Sequence, residues 1–243
     1  MNAPSSKSSE VKFKVASYNI RKSVGLDRVR DPMRILGIIK ELNADIVVLQ
    51  EVDERLGKRP TTIAREKIAE HTGLVAVDVA ANDVSLGWHG NAVLVRKDME
   101  VTAIRRIPLP GLEPRGAVNV DINHTDAEIS VIGVHLGLLR SYRRRQLAEI
   151  HTQIPKQKLA HSLIIGDFNE WSPSKGLDAL EDDFEIVSPG KTFHTAQPVA
   201  ALDRLALGKS LQLHAAGIVK TGESKIASDH LPIWAEISAK ASN

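Results

Sequence analysis

A set of polar side chains in this 243-residue sequence follows or closes short apolar runs: Asn19, Glu51, His135, Asp167, Asn169, Asp203, Asp229 and His230. Such runs read as buried strands, so these residues fall at strand ends, on the rim where a sheet opens to ligands. Taken singly, Asp203 or Asp229 reads as an ordinary carboxylate where the chain leaves its core. The conjunction changes that reading. Carboxylate, amide and imidazole groups gathered at one rim can hold a hard divalent cation and move protons.

The segment Leu163-Ile164-Ile165-Gly166-Asp167-Phe168-Asn169 is the most informative. Residues two apart in an extended chain share a face, so Asp167 and Asn169 point together and Phe168 turns back to the core. The plainer alternative is an Asx turn leaving the strand. Period two also sets His135 on one face with Ile129, Val131 and Gly133. Alone, such a histidine reads as a satisfied core residue; beside Asp167 and His230 it reads as part of a site.

Several elements must carry these residues. The alternating run VKFKVASYNI predicts a strand ending near Asn19. Asp31-Pro32 opens a helix as N-cap and first helical residue, with Met33, Leu36, Ile39 and Leu42 on its buried face. The β-branched run Ile46–Leu49 predicts a strand covered on both faces, ending in Gln50-Glu51. A helix is expected over Thr62–His71, closed by Gly73. Strands follow around Leu74–Val79, Asn91–Val95, Val101–Ile107, Ala117–Ile122 and Glu128–Leu136. A helix is expected from Ser141 to about Ile154, where Pro155 stops it. Further strands are expected at Leu163–Ile165, Phe184–Val187, Leu202–Leu207, Leu211–Val219 and Leu231–Ile237. Many strands, few helices, no repeat and no linker predict one α/β domain over residues 11–240, as two packed sheets with helices outside. A disordered polar tail is expected over residues 1–10.

Composition bounds the rest. Hydrophobic residues make up 42%, yet no apolar run approaches the ~20 residues of a membrane span. Without cysteine, disulfides and thiolate metal sites are excluded. A cytoplasmic monomer is expected. Aromatic residues are only 4% and no loop gathers them, so membrane contact is not expected. The net charge of +2 is too small to mark a polyanion partner. The local run Arg140, Arg143, Arg144, Arg145 reads either as a nucleic-acid backbone contact or as a solvated helix face.

The ordered segments SYNIR (17–21), VLQEVD (48–53), HGNAVLV (89–95), EPRGAV (113–118), VIGVHL (131–136), IIGDFNEW (164–171), ALDRLAL (201–207) and ASDHLPI (227–233) span nearly the whole chain. Together they resemble the endonuclease/exonuclease/phosphatase superfamily, in particular its small bacterial members. The resemblance implies a four-layer α/β sandwich of two mixed sheets, and hydrolysis of phosphoesters with Mg²⁺ or Mn²⁺. It makes Glu51 the metal-binding glutamate, with Asn19 and Asp229 beside the metal. It gives Asp167 the attacking water, Asn169 a phosphate oxygen, and His230 the scissile phosphate, with Asp203 as that histidine's partner. His135 would assist the leaving oxygen. Arg115 matches a phosphate-contacting arginine, or is a solvated strand-edge residue. Asn91 reaches the substrate or shapes a turn, and Trp171 stacks on a base or packs its loop. There are departures. Arg21 stands where some members carry an acid, which counts against a second metal. His89 stands where deoxyribonuclease-like members carry a supporting Glu, which leaves the partner of His135 open.

The superfamily acts on DNA, RNA, phosphoinositides and sphingomyelin through one shared centre. Close to the minimal core, this chain reads first as a phosphodiesterase or nuclease. The alternatives are a phosphatase or phospholipase-C-type enzyme acting on inositol phosphates or phospholipids, and a silent binding module. The intact set of core residues argues against the last.

Overall fold

The computed structural model describes residues 10–173 and 175–241. Most of the expected tail, residues 1–9, lies outside them; Glu10 already opens the first strand, opposite Lys240.

In chain order the strands of the first half are β1 (Glu10–Asn19), β2 (Ile46–Gln50), β3 (Leu74–Ala76), β4 (Ala92–Arg96), β5 (Glu100–Leu109) and β6 (Arg115–His124). Those of the second half are β7 (Ala127–His135), β8 (Ser162–Asp167), β9 (Phe184–Val187), β10 (Asp203–Gly208), β11 (Leu211–Ile218) and β12 (Ile233–Lys240). Helices are α1 (Pro32–Leu42), α2 (Arg65–Thr72), α3 (Arg140–Gln153) and the short α4 (Ser224–Ala227), for which the sequence carries no clear helical pattern. No helix among the described residues is long and apolar enough to cross a membrane.

The strands form two six-stranded mixed sheets, ordered β11-β12-β1-β2-β4-β3 and β5-β6-β7-β8-β10-β9. Period two divides each strand between layers. Phe13, Val15, Ile46, Val48 and Val93 meet Val118, Val131, Leu163, Ile165 and Leu205 in the central core between the sheets. The alternate residues Ala16, Tyr18, Val47 and Leu49 pack under Ile35, Leu36 and Ile39 of α1. On the other side Ile132, Val134 and Ile164 pack under Leu147 and Ile150 of α3. This is the expected four-layer sandwich. Each buried Val, Leu or Ile contributes about 1.5–3 kcal/mol.

Some boundaries shift. Asp31 caps α1 by accepting from Arg34 N at 3.0 Å, but Met33 is 48% exposed and Ile35 and Ile38 are buried instead. The second helix starts at Arg65 because the Thr62 hydroxyl donates to Val52 O at 3.0 Å, holding that residue to the strand exit. The last strand starts at Ile233, since Leu231 N donates to Thr192 O.

Candidate active site

The register builds the site. His135 at the end of β7 lies opposite Asp167 at the end of β8, and Asp203 at the start of β10 lies opposite the same Asp167. Val131, Ile165 and Leu205 face the opposing sheet, so residues an even step beyond them face the same way. His135, Asp167 and Asp203 therefore line the open end of the layer between the sheets. From the other sheet Asn19, four residues beyond inward-facing Val15, does the same. Phe168 turns back into the core under α3, as expected.

Asp167 is the hub. Its Oδ2 accepts from Asn19 Nδ2 at 3.1 Å and lies 3.4 Å from His135 Nε2 and 3.6 Å from His230 Nε2. Its Oδ1 accepts from the backbone N of Asn169 at 2.9 Å. Asn169 adopts φ +50°, and its Nδ2 donates to Leu136 O at 2.9 Å. His230 is anchored through Ser228, whose hydroxyl accepts from His230 N at 3.2 Å and donates to Asn19 O at 2.7 Å. His230 Nδ1 meets Asp203 Oδ2 at 2.8 Å.

These contacts set protonation. Burial alone would push His230 down, but Asp203 and Asp167 outweigh it and hold its pKa up at about 10. The ring is therefore a cation at neutral pH: Nδ1–H donates to Asp203, and Nε2, which also carries a proton, lies 3.6 Å from Asp167. Burial raises the Asp167 carboxyl to about 6, against the pull of His230. His135 is held well below the ordinary histidine range by burial and then by the charges of Arg115 and His230. It is the neutral imidazole of the site.

Glu51 enters differently. In a continued strand it would share the helix-side face of Val47 and Leu49. Instead it adopts φ +55° and lines a cleft with Lys22, Arg115 and His135. Lys22 Nζ contacts Glu51 Oε2, and Lys22 N donates to Glu51 O at 2.9 Å. Asp229, next to His230, lies 3.5 Å from Arg21 Nε.

The donor chemistry suits a hard cation. Glu51 and Asp229 are partly exposed carboxylates, each already facing a positive group, and Asn19 offers an amide oxygen that accepts from Arg21 N at 3.1 Å. Asp167, Asp203 and His230 also place ligand atoms within 4.8 Å of one another. The direct Nδ1–Oδ2 bond between His230 and Asp203, however, marks that trio as a proton-holding network rather than an ion cage.

The remaining expected residues divide. Arg115 lines the cleft, clamped to Glu113 Oε2 at 2.7 and 2.9 Å. Asn91 is fully buried and donates to Gly116 O at 2.8 Å, which ties β4 to β6; it does not line the cleft. Trp171 is 59% exposed and stands edge-on to Phe193, whose ring lies 5.1 Å from that of His230. The basic run is held internally. Arg140 and Arg143 bind Glu170, Arg144 faces Asp178, and Arg145 lies over the Tyr142 ring. Lys22, Phe193 and Glu170 do not stand out in the sequence. The available signal is that Lys22 directly follows the segment SYNIR and Glu170 lies within IIGDFNEW.

Residues 16–230 match the sequence profile of the endonuclease/exonuclease/phosphatase family. The chain belongs to this family. The uncharacterized protein YbhP of Escherichia coli (strain K12) is 30% identical over 246 residues, covering 93% of this chain and 96% of that protein. In fold, a functionally unknown conserved protein from Enterococcus faecalis V583 superposes with a TM-score of 0.77 at 20% identity, covering 94% of this chain and 100% of that one. TDP2 of D. rerio, complexed with single-strand DNA product, superposes with a TM-score of 0.70 at 15% identity, covering 93% and 98%. Endonuclease/exonuclease/phosphatase proteins are generally metal-dependent phosphoesterases, and phosphoester hydrolysis is the reaction class of this chain.

Proposed function

We propose that the chain is a Mg²⁺- or Mn²⁺-dependent phosphodiesterase that attacks phosphorus with an activated water and takes nucleic acid as substrate. The observation that carries this reading is the network around Asp167: a buried carboxyl with its pKa at about 6, between a protonated His230 and a neutral His135. A base poised near neutral pH is suited to take a proton from water.

Asp167 orients the water and accepts its proton, with Asn19 and the Asn169 amide holding the carboxylate in place. His230 presents its Nε2–H to a phosphoryl oxygen, where the fixed positive charge stabilises the charge that develops in the transition state. Asp203 keeps that ring charged and oriented. Asn169 contacts the other non-bridging oxygen, and the Arg115 guanidinium lies in the cleft to offset the charge of the pair. His135, a neutral ring beside Asp167, hydrogen-bonds the leaving oxygen, which departs as an alcohol by taking a proton from solvent, while Asp167 returns the proton it took from the water to solvent. Glu51 and Asp229, with Asn19, would hold the cation, which when bound would neutralise phosphate charge. Trp171 stands at the rim, where a base could stack. The similarity to D. rerio TDP2, a protein seen with single-strand DNA product, favours nucleic acid among the substrates open to this fold.

A screen with Mg²⁺ or Mn²⁺ on bis-p-nitrophenyl phosphate, DNA, RNA, inositol phosphates and sphingomyelin tests the proposal. Turnover of the diester and of a nucleic acid is expected. Exclusive turnover of a phosphomonoester, or of none of them, would overturn it.

A further inference from the structure

The cleft that Glu51, Arg115 and His135 line also carries positive charge that the proposed chemistry does not use. The segment 53–61 leaves β2 and returns on itself, and its base is closed. Asp53 bridges Thr61, and its buried carboxylate accepts from Leu86 N at 2.7 Å and Gly87 N at 3.1 Å. Glu54 N donates to Pro60 O at 2.9 Å, and Ser85 Oγ to Arg59 O at 2.7 Å. The two ends of the loop are thus fixed, and Arg59 and the exposed Arg55 line the cleft together with Glu113, Pro114 and Arg115.

The acids of this cleft already have partners. Glu54 pairs with Arg30, Glu113 with Arg115, and Glu51 with Lys22, while Asp53 is held by amides. Arg55 makes no ion pair among the described residues. Arg59 bonds His89 Nδ1 at 3.3 Å. Burial, then the charge of Arg59, holds His89 below its ordinary value, so the neutral ring accepts that bond and leaves the guanidinium charge intact. Arg55 lines this cleft together with His135 and Glu113. Two guanidinium groups without an acidic partner among the described residues, set on a loop held at both ends, are suited to a phosphate, whose oxygens accept their paired N–H groups.

We propose that Arg55 and Arg59, supported by His89, form a second anion subsite that holds a non-scissile phosphate of the substrate. The inference rests on the phosphodiesterase reading and sharpens it: the preferred substrate carries a further phosphate next to the bond that is cleaved. That phosphate is either a terminal monoester or the neighbouring diester of a strand.

Steady-state kinetics on three thymidine substrates separates these sources: TpT with no second phosphate, pTpT with a terminal one, and TpTpT with a neighbouring diester. The wild-type protein is expected to favour pTpT or TpTpT over TpT by roughly tenfold, the scale of one charge-assisted hydrogen bond. Arg55→Gln and the Arg55→Gln/Arg59→Gln pair should bring that ratio towards one, chiefly through KM. Arg55→Gln removes no internal ion pair, so it serves if the double variant is unstable. Equal use of all three substrates by the wild type, or a ratio unchanged in the variants, would overturn the subsite. If no diester is turned over at all, the phosphodiesterase reading fails instead. Calorimetric binding of inorganic pyrophosphate without metal then tests the subsite on its own. Affinity should weaken severalfold in the double variant, and equal affinity would reject the proposal.

Discussion

Asp203 binds His230 through a 2.8 Å hydrogen bond, while its second carboxylate oxygen is buried with no partner among the described residues. The pair is therefore asymmetric, with one oxygen orienting the ring and the whole charge holding its proton. Asp203→Asn keeps the shape and removes the charge. His230 should fall towards the ordinary histidine range and lose its proton near neutral pH. A loss in kcat of about 10²–10⁴ is expected, the usual scale for a positioned proton-bearing group. Because the imidazolium form returns as pH falls, the ratio of wild-type to variant kcat should narrow in mildly acidic buffer, even as protonation of Asp167 near pH 6 slows both proteins. A kcat at neutral pH equal to that of the wild type would show that the charge of Asp203 is dispensable.

Glu170 sits beside the site yet serves the fold. It is 1% exposed and receives Arg140 and Arg143, with Ser172 N donating at 2.9 Å. Burial would raise its pKa, but Arg140, the Ser172 amide and Arg143 together pull it from 4.5 to about 2. A depressed carboxyl stabilises the fold above its unfolded value, so this contribution is full above about pH 4.5 and fades as pH falls towards 2. Glu170→Gln leaves Arg143 buried without its counter-charge and should cost about 3–5 kcal/mol near pH 7. Urea midpoints of the two proteins should converge as pH drops through that window. A gap independent of pH would assign the loss to packing alone.

Gly166 explains why the segment before Asp167 reads Ile-Ile-Gly. Its φ is +149°, and a Cβ there would stand 2.0 Å from Val134 O on the neighbouring strand. Gly166→Ala should destabilise by about 3–5 kcal/mol, at the severe end for single substitutions. It should also displace Asp167. A Cβ at Gly37 in α1 would meet nothing within 4 Å, so Gly37→Ala should stabilise by about 0.5–1 kcal/mol. Thermal melts of the two variants should move in opposite directions. Equal shifts would mean that the close approach at Gly166 relaxes without cost.

Much of this arrangement is legible because period two carries both layer and site. Once Val131 and Ile165 are assigned inward, His135 and Asp167 follow, and the structure brings them together. What is not legible has a common cause. Lys22 and Glu51 adopt left-handed backbone without glycine, so nothing in the residue types announces the turns that aim them. Arg140 and Arg143 are three apart on one helix face, which suits solvent, a polyanion or a buried acid equally well. Only the fold delivers Glu170 to them. Asn91 looks able to reach the site because it opens a strand, but the hydrogen-bonding need of Gly116 O engages its amide.

Glu51→Gln and Asp167→Asn should abolish activity by different routes. Wild-type turnover is expected to vanish in excess EDTA, since Glu51, Asp229 and Asn19 offer oxygen donors to a hard cation. Glu51→Gln removes a charged donor, so half-saturating Mg²⁺ should rise and added Mg²⁺ should partly restore turnover. Asp167→Asn preserves the metal donors but removes the group that takes the proton, and a loss of about 10²–10⁴ should resist added metal. Lys22 supplies a third arm. Its ammonium contacts Glu51, so an incoming cation must displace it. Lys22→Met removes this competitor, and half-saturating Mg²⁺ should fall. Glu51 is partly exposed, so the melting temperature of Glu51→Gln should stay close to wild type. A Mg²⁺ titration of kcat/KM across the set separates the roles. Rescue of Asp167→Asn by metal as complete as that of Glu51→Gln would mean that Asp167 is a ligand rather than the base.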